Sequence, residues 1–311
     1  MDPITRAVLQ SWNWQIEVIV VLVLMCTLYT RGWFRLRQRT RAKLRNLPIE
    51  KQRYRLAVRW RLISYWAGLL LVALALISPI DPLGQQLFFF HMIQHLLLIM
   101  FAPPLLLIAN PMPFVLWGLP NPLRIRFGWF LAWLLRKDAP FRRGLLFVTN
   151  PGVLWMLWVI ALFAWHDPGL YNAALEIEWV HQAEHLTFFL TSMLLWWNVT
   201  NARPRIRKKI SLLARIGLLI AAVPPNMLLG VILSFAQPVY SYYETVPRLW
   251  NIGLQADQQI GGVIMWVPGS MMYVIAALIL IARLLSGEEQ QKLTRRSTPP
   301  IQKEKAADGT A

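Results

Sequence analysis

Apolar residues fall in seven runs set apart by polar or Pro-rich stretches: about Trp12–Gly32, Leu62–Ile80, Gln86–Ala109, Gly144–Trp165, Trp179–Trp197, Arg215–Ala236 and Gln259–Leu285. About 20 apolar residues cross a bilayer as a helix. The pattern therefore predicts an all-α integral membrane protein with seven transmembrane helices. Pro103-Pro104 predicts a kink or break late in the third run, and Pro224-Pro225 sits in the middle of the sixth. The stretch 110–143 is less regular. Its Phe127–Leu135 segment, with Trp129 and Trp133 among basic residues, suits a helix lying at the membrane interface. Residues 1–285 are read as one transmembrane domain and 286–311 as a polar, disordered cytoplasmic tail.

Charge orients these spans. The chain has 32 Lys and Arg against 15 Asp and Glu, a net charge of +17. Thirty of the 32 fall between spans 1 and 2 (the segment 31–61), between spans 3 and 4, between spans 5 and 6, or at the C-terminal end. Only Arg6 and Arg248 lie in the alternate connections. Cytoplasmic loops are the basic ones, so the N-terminus is expected outside and the C-terminus in the cytoplasm. The positive charge belongs to topology and to anionic membrane lipid, not to nucleic acid. The single cysteine, Cys26, excludes an internal disulfide and any CxxC motif. The first run has no small-residue cleavage site behind it and reads as a retained span.

The five histidines then stand out. His91 and His95 open the third run, and His181 and His185 open the fifth with the same i, i+4 spacing, which puts each pair on one helix face. His166 ends the fourth run. In the predicted topology all five converge on the outer leaflet of one bundle, which makes spans 3, 4 and 5 neighbours. Asp81, Asp167, Glu176, Glu178, Glu184 and Asp257 share that side.

Three readings of this cluster compete. Histidines at helix ends can simply be interfacial and hydrated. A metal site is the second reading, since imidazole suits copper, zinc, iron and nickel, and carboxylates orient the rings. Haem held by axial histidines is the third. Ionisable groups within spans mark function by default, so the metal reading leads, with His91, His95, His166, His181 and His185 as ligands. Glu184, on the same helix face as His181 and one residue from His185, is a possible further ligand or outer-sphere partner. Asp257 is either a further ligand or outer-sphere partner, or a helix N-cap. His181-Gln182-Ala183-Glu184-His185 also spells H-x-x-E-H, which keeps an intramembrane zinc hydrolase as the enzymatic alternative. Met92, Met100, Met265, Met271 and Met272 are assigned to packing, although thioethers favour Cu(I). No nucleophile triad or redox motif is present, and the protein is not expected to be an enzyme.

Four segments, HMIQHLLLIMFAPPLLL, WHDPGLYNAAL, WVHQAEHLTFF and DQQIGGVIMWVPG, occur in that order across the spans. With them the chain resembles the CtaG family of membrane cytochrome c oxidase assembly factors from about Gln86 to Gly269. The resemblance implies a multi-pass protein of the bacterial plasma (inner) membrane. It further implies haem–copper oxidase subunits as partners and copper supply to the oxidase as the role. In the last segment, Gly261-Gly262 is expected to allow close helix approach.

Overall fold

The computed structural model describes residues 6, 10–44, 57–204 and 210–297, with backbone alone over 42–44 and 287–297. The described residues are helical and contain no strand. The helices are α1 Ile16–Leu44, α2 Arg59–Leu76, α3 Ile80–Gly84, α4 Phe88–Leu96, α5 Ala102–Ile108, α6 Pro111–Gly118 and α7 Asn121–Leu134. They continue as α8 Pro140–Val148, α9 Pro151–Trp165, α10 Pro168–Glu176, α11 Glu178–Thr200, α12 Leu212–Phe235, α13 Tyr242–Thr245, α14 Leu254–Ile264 and α15 Ser270–Ser297. A π turn, Leu97–Phe101, joins α4 to α5, and a second, Met265–Gly269, joins α14 to α15.

Among the described residues, five helical stretches are long and apolar enough to cross a membrane: Ile16–Arg41, Arg59–Leu76, Phe88–Ile108, Leu212–Phe235 and Leu254–Ser286. The predicted fourth span is not straight. It divides into α8 and α9, bent by 68°, and would count as a sixth only if the pair forms one span. The break follows from Asn150-Pro151. Proline disfavours helix in the residue before it, and the Asn150 side chain accepts from Gly152 N as an N-cap. α11 is 23 residues long, but Glu178, His181, Gln182, Glu184 and His185 lower the apolarity of its first turns. α15 runs unbroken to Ser297, into the stretch read as a polar tail. Glu288-Glu289-Gln290-Gln291-Lys292 are good helix formers that extend an existing helix. The remainder of that tail, 298–311, lies outside the described residues, as does 45–56 of the basic segment.

Between lipid-immersed helices there is little hydrophobic driving force, so close packing and hydrogen bonds hold the bundle. Two glycine contacts set the closest approaches. A Cβ at Gly32 of α1 would lie 1.7 Å from Phe114 O, and one at Gly118 of α6 would lie 1.9 Å from Leu28 O. α1 and α6 therefore pack backbone to backbone. At the other contact, Gly262 of α14 meets Gly230 and Ser234 of α12, while Gly261 meets the Phe88 ring. This is the approach expected of Gly261-Gly262.

The prolines leave carbonyls without their helical donors, and side chains replace them. Pro103 cannot donate to Ile99 O, and the Trp196 indole N–H does so at 3.1 Å. Pro225 cannot donate to Ala221 O, and the Trp155 indole N–H takes that carbonyl at 3.0 Å. Asn226 Nδ2 donates to Met265 O in the second π turn at 2.8 Å. Such replacement is what allows proline inside a membrane helix. The predicted kink at Pro103-Pro104 thus resolves into a π turn followed by a restarted helix.

Candidate metal centre

His91 and His95 occupy the first turns of α4, and His181, Glu184 and His185 the first turns of α11. His166 caps the C-terminal end of α9. α11 packs against α9, α5 and the first π turn. All five histidines are therefore at one end of the bundle, and all five are buried, as is Glu184.

The closest group is His91, His95, Glu184 and His185, whose ligating atoms all lie within 4.8 Å of one another. The His91 and His95 Nε2 atoms are 2.9 Å apart. Glu184 Oε2 is 3.5 Å from His91 Nε2, and Oε1 is 3.4 Å from His95 Nε2. The last two are long for charge-assisted hydrogen bonds, which run about 2.7–2.9 Å. They suit two atoms bound to one ion. With metal–ligand distances of about 2.0–2.1 Å, neighbouring ligands sit about 2.9 Å apart at a right angle and about 3.4 Å apart in a tetrahedron. A second group, Asp81, His181 and His185, meets the same distance limit and shares His185 with the first.

Hydrogen bonding agrees with this geometry. Nδ1 of His91 and His95, Nε2 of His166, His181 and His185, and both oxygens of Glu184 are buried with no hydrogen-bond partner. Orphaned buried polar atoms normally cost about 1–3 kcal/mol each, more when charged. Among them, the Glu184 oxygens and the Nε2 atoms of His181 and His185 are lone pairs that a bound cation would satisfy.

The surrounding residues fix these rings. Asp81 of α3 accepts from Asn13 Nδ2 and Gln94 Nε2, both at 2.7 Å, and Gln94 Nε2 also donates to Ala75 O. His166 Nδ1 donates to Leu162 O at 2.7 Å. Its ring lies 6.0 Å from that of His95, at the border of the cluster. Tyr240 OH donates to His166 O, and Tyr243 OH donates to Gly84 O while contacting Tyr171 OH at 3.1 Å. Burial raises the Tyr171 and Tyr243 phenols well above their usual range, so both remain neutral donors.

Asp257 has a different position from the other predicted residues. It accepts from Phe88 N and Phe89 N at 3.0 Å and pairs with Arg248 at 2.7 Å. It caps the start of α4, a different helix from its own, and belongs to neither ligand group. α14 begins at Leu254 with Gly253 as its cap residue. The Gly261–Phe88 approach brings the carboxylate to α4. Asp81 is the ligand candidate not singled out from the sequence. Its signal was an acid in a Pro-bounded turn just ahead of the first histidine pair. Tyr171, Tyr240 and Tyr243 carried no comparable signal.

A cavity of about 340 Å³ opens beside this cluster between α1, α2 and α11. His181, His185, Gln182, Gln15 and Glu17 line it together with apolar residues of the three helices.

A family model described as "Cytochrome c oxidase caa3 assembly factor" matches residues 27–286. Among curated proteins, the chain is 26% identical over 233 residues to an uncharacterised protein of Mycobacterium leprae, covering 72% of this chain and 34% of the relative. It is 26% identical over 230 residues to an uncharacterised protein of Mycobacterium tuberculosis, again covering 72% and 34%. The chain thus spans about a third of the length of these curated relatives. No solved structure matches it.

Proposed function

The chain belongs to the caa3-type cytochrome c oxidase assembly factor family, and on that premise we propose that it holds copper in its buried histidine–glutamate cluster and supplies it to a haem–copper oxidase. In this reading the protein resides in the bacterial plasma membrane with seven spans, α8–α9 and α11 among them. The basic connections face the cytoplasm, and the cluster faces the outer side. The site-bearing face of α11 lowers its apolarity without facing lipid, which supports counting it as a span. Oxidase subunits are the proposed partners. The role is that of a carrier, not an enzyme.

One observation carries the reading: His91, His95, Glu184 and His185 bring ligating atoms within 4.8 Å of one another, with both Glu184 oxygens and the His185 Nε2 buried and unpartnered. Nitrogen and carboxylate donors of this kind suit copper or zinc, and copper is the cargo an oxidase assembly factor would bring. The Nε2 atoms of His91 and His95 converge on one small volume. His185 belongs to both ligand groups, so the two share a residue.

Metal analysis of the purified chain, with His95→Ala/His185→Ala alongside, tests the proposal. Copper is expected in the wild type and lost from the variant. In cells at normal variant levels, oxidase activity should fall and be partly restored by added copper. Zinc in place of copper, with a phenotype outside respiration, would favour the H-x-x-E-H hydrolase. Normal oxidase activity without surplus copper would refute the assignment of these residues.

A further inference from the structure

Beside His95, α4 with its π turn, α9, α12 and the α14 π turn border a cavity of about 30 Å³. Met92, Met100, Met265, His95, His166 and Asn226 are among its lining residues. Resting on the copper reading above, we propose that this cavity is a second copper station, selective for the cuprous ion, with the thioethers of Met92, Met100 and Met265 and the His166 imidazole as its ligands.

The cavity's size selects what it can hold. A site of about 10–15 Å³ of this kind admits one water, whereas organic ligands need several hundred. One ion fits. The donor chemistry selects the ion, since thioether sulfur is soft and favours Cu(I) over Zn(II) or Cu(II). The cluster of His91, His95, Glu184 and His185 is the harder site of the pair, and His95 borders both.

Two further observations point to a ligand. Metal-binding histidines commonly donate one ring N–H to a backbone carbonyl and present the other nitrogen to the metal. His166 has this arrangement: Nδ1 is engaged by Leu162 O, and Nε2 is buried without a partner. Two of the three sulfurs sit in the π turns, Met100 in the first and Met265 opening the second, while Met92 is on α4. π turns inside α-helices are rare and recur at functional sites. Asn226 braces the second by donating to Met265 O and to Ser270 Oγ. Core methionine alone does not require the free imidazole nitrogen of His166.

The test is anaerobic Cu(I) titration of the purified full chain against a chromophoric chelator, with X-ray absorption at the copper edge. Wild type and Met92→Leu/Met100→Leu/Met265→Leu are compared, and Ag(I) serves as a redox-inert probe. Leu conserves the volume of Met, so the core should tolerate the change, and retained Cu(II) binding at the imidazoles checks the fold. Sulfur scattering is expected in the Cu(I)-loaded wild type. The Leu variant should lose it and bind Cu(I) and Ag(I) at least about tenfold more weakly, the lower end of what losing even an outer-sphere partner does. Copper bound by the wild type through nitrogen alone, with no sulfur scattering, would overturn this station while leaving the histidine site intact. A wild type that binds copper in neither valence would overturn both. The wild-type spectrum alone decides the matter should the triple variant misfold.

Discussion

Glu184 is a fully buried carboxylate with no hydrogen-bond donor on either oxygen. Burying an unpaired charge costs several kcal/mol. Glu184→Gln keeps the shape and removes that burden. The metal-free variant should therefore melt no lower than wild type in detergent, while its copper affinity falls at least about tenfold, the loss that follows even outer-shell changes. A melting temperature that drops in the metal-free state would mean the carboxylate has a structural partner instead. Tyr243→Phe acts in the opposite sense. It leaves the buried Gly84 carbonyl without a donor and should destabilise the protein by about 1–3 kcal/mol, measured by thermal unfolding. The histidine pairs were legible in the sequence because i, i+4 spacing fixes a common face whatever the fold. Asp81 was not, because its place beside His181 depends on how the turn after α2 folds back. Asp257 shows the same limit: an acid in a first turn reads as a cap, but only packing reveals which helix it caps.

At the level of elements, hydrophobic length located most helices and misjudged their continuity. The 68° bend between α8 and α9 follows from Asn150-Pro151 and could have been read. The π turns could not, since their cause is the agreement of a proline with a distant donor such as Trp196. That pairing gives a double-mutant test. Trp196→Phe strands Ile99 O and should cost about 1 kcal/mol, within the range for hydrogen bonds inside membranes. Pro103→Ala supplies a backbone N–H for the same carbonyl. Combined with Trp196→Phe, it should remove most of that cost, giving a coupling energy outside the additive range of about 0.3–0.5 kcal/mol. Additive effects in thermal unfolding would show that Ile99 O does not link the two positions.

Over the whole molecule, the charge division of 30 basic residues against two makes orientation the most direct prediction. Reporter fusions after Ser297 should be active only in the cytoplasm, and fusions at 237–241 only outside. A C-terminal fusion active outside would reverse the orientation of the site. The bundle also brings together residues made far apart in time. His91 and His95 precede Glu184 and His185 in the chain, and the carboxylate that fixes the start of α4 comes last, at Asp257. Roughly 160 residues separate His95 from Asp257, and synthesis at about 5–20 residues per second takes about 10–30 s to cover them. During that interval the ribosome has released the first imidazoles but not yet the groups that organise them. The Asp257 cap on α4 therefore marks a chain whose last span has been made, so cargo held tightly only once that cap has formed would certify completed insertion.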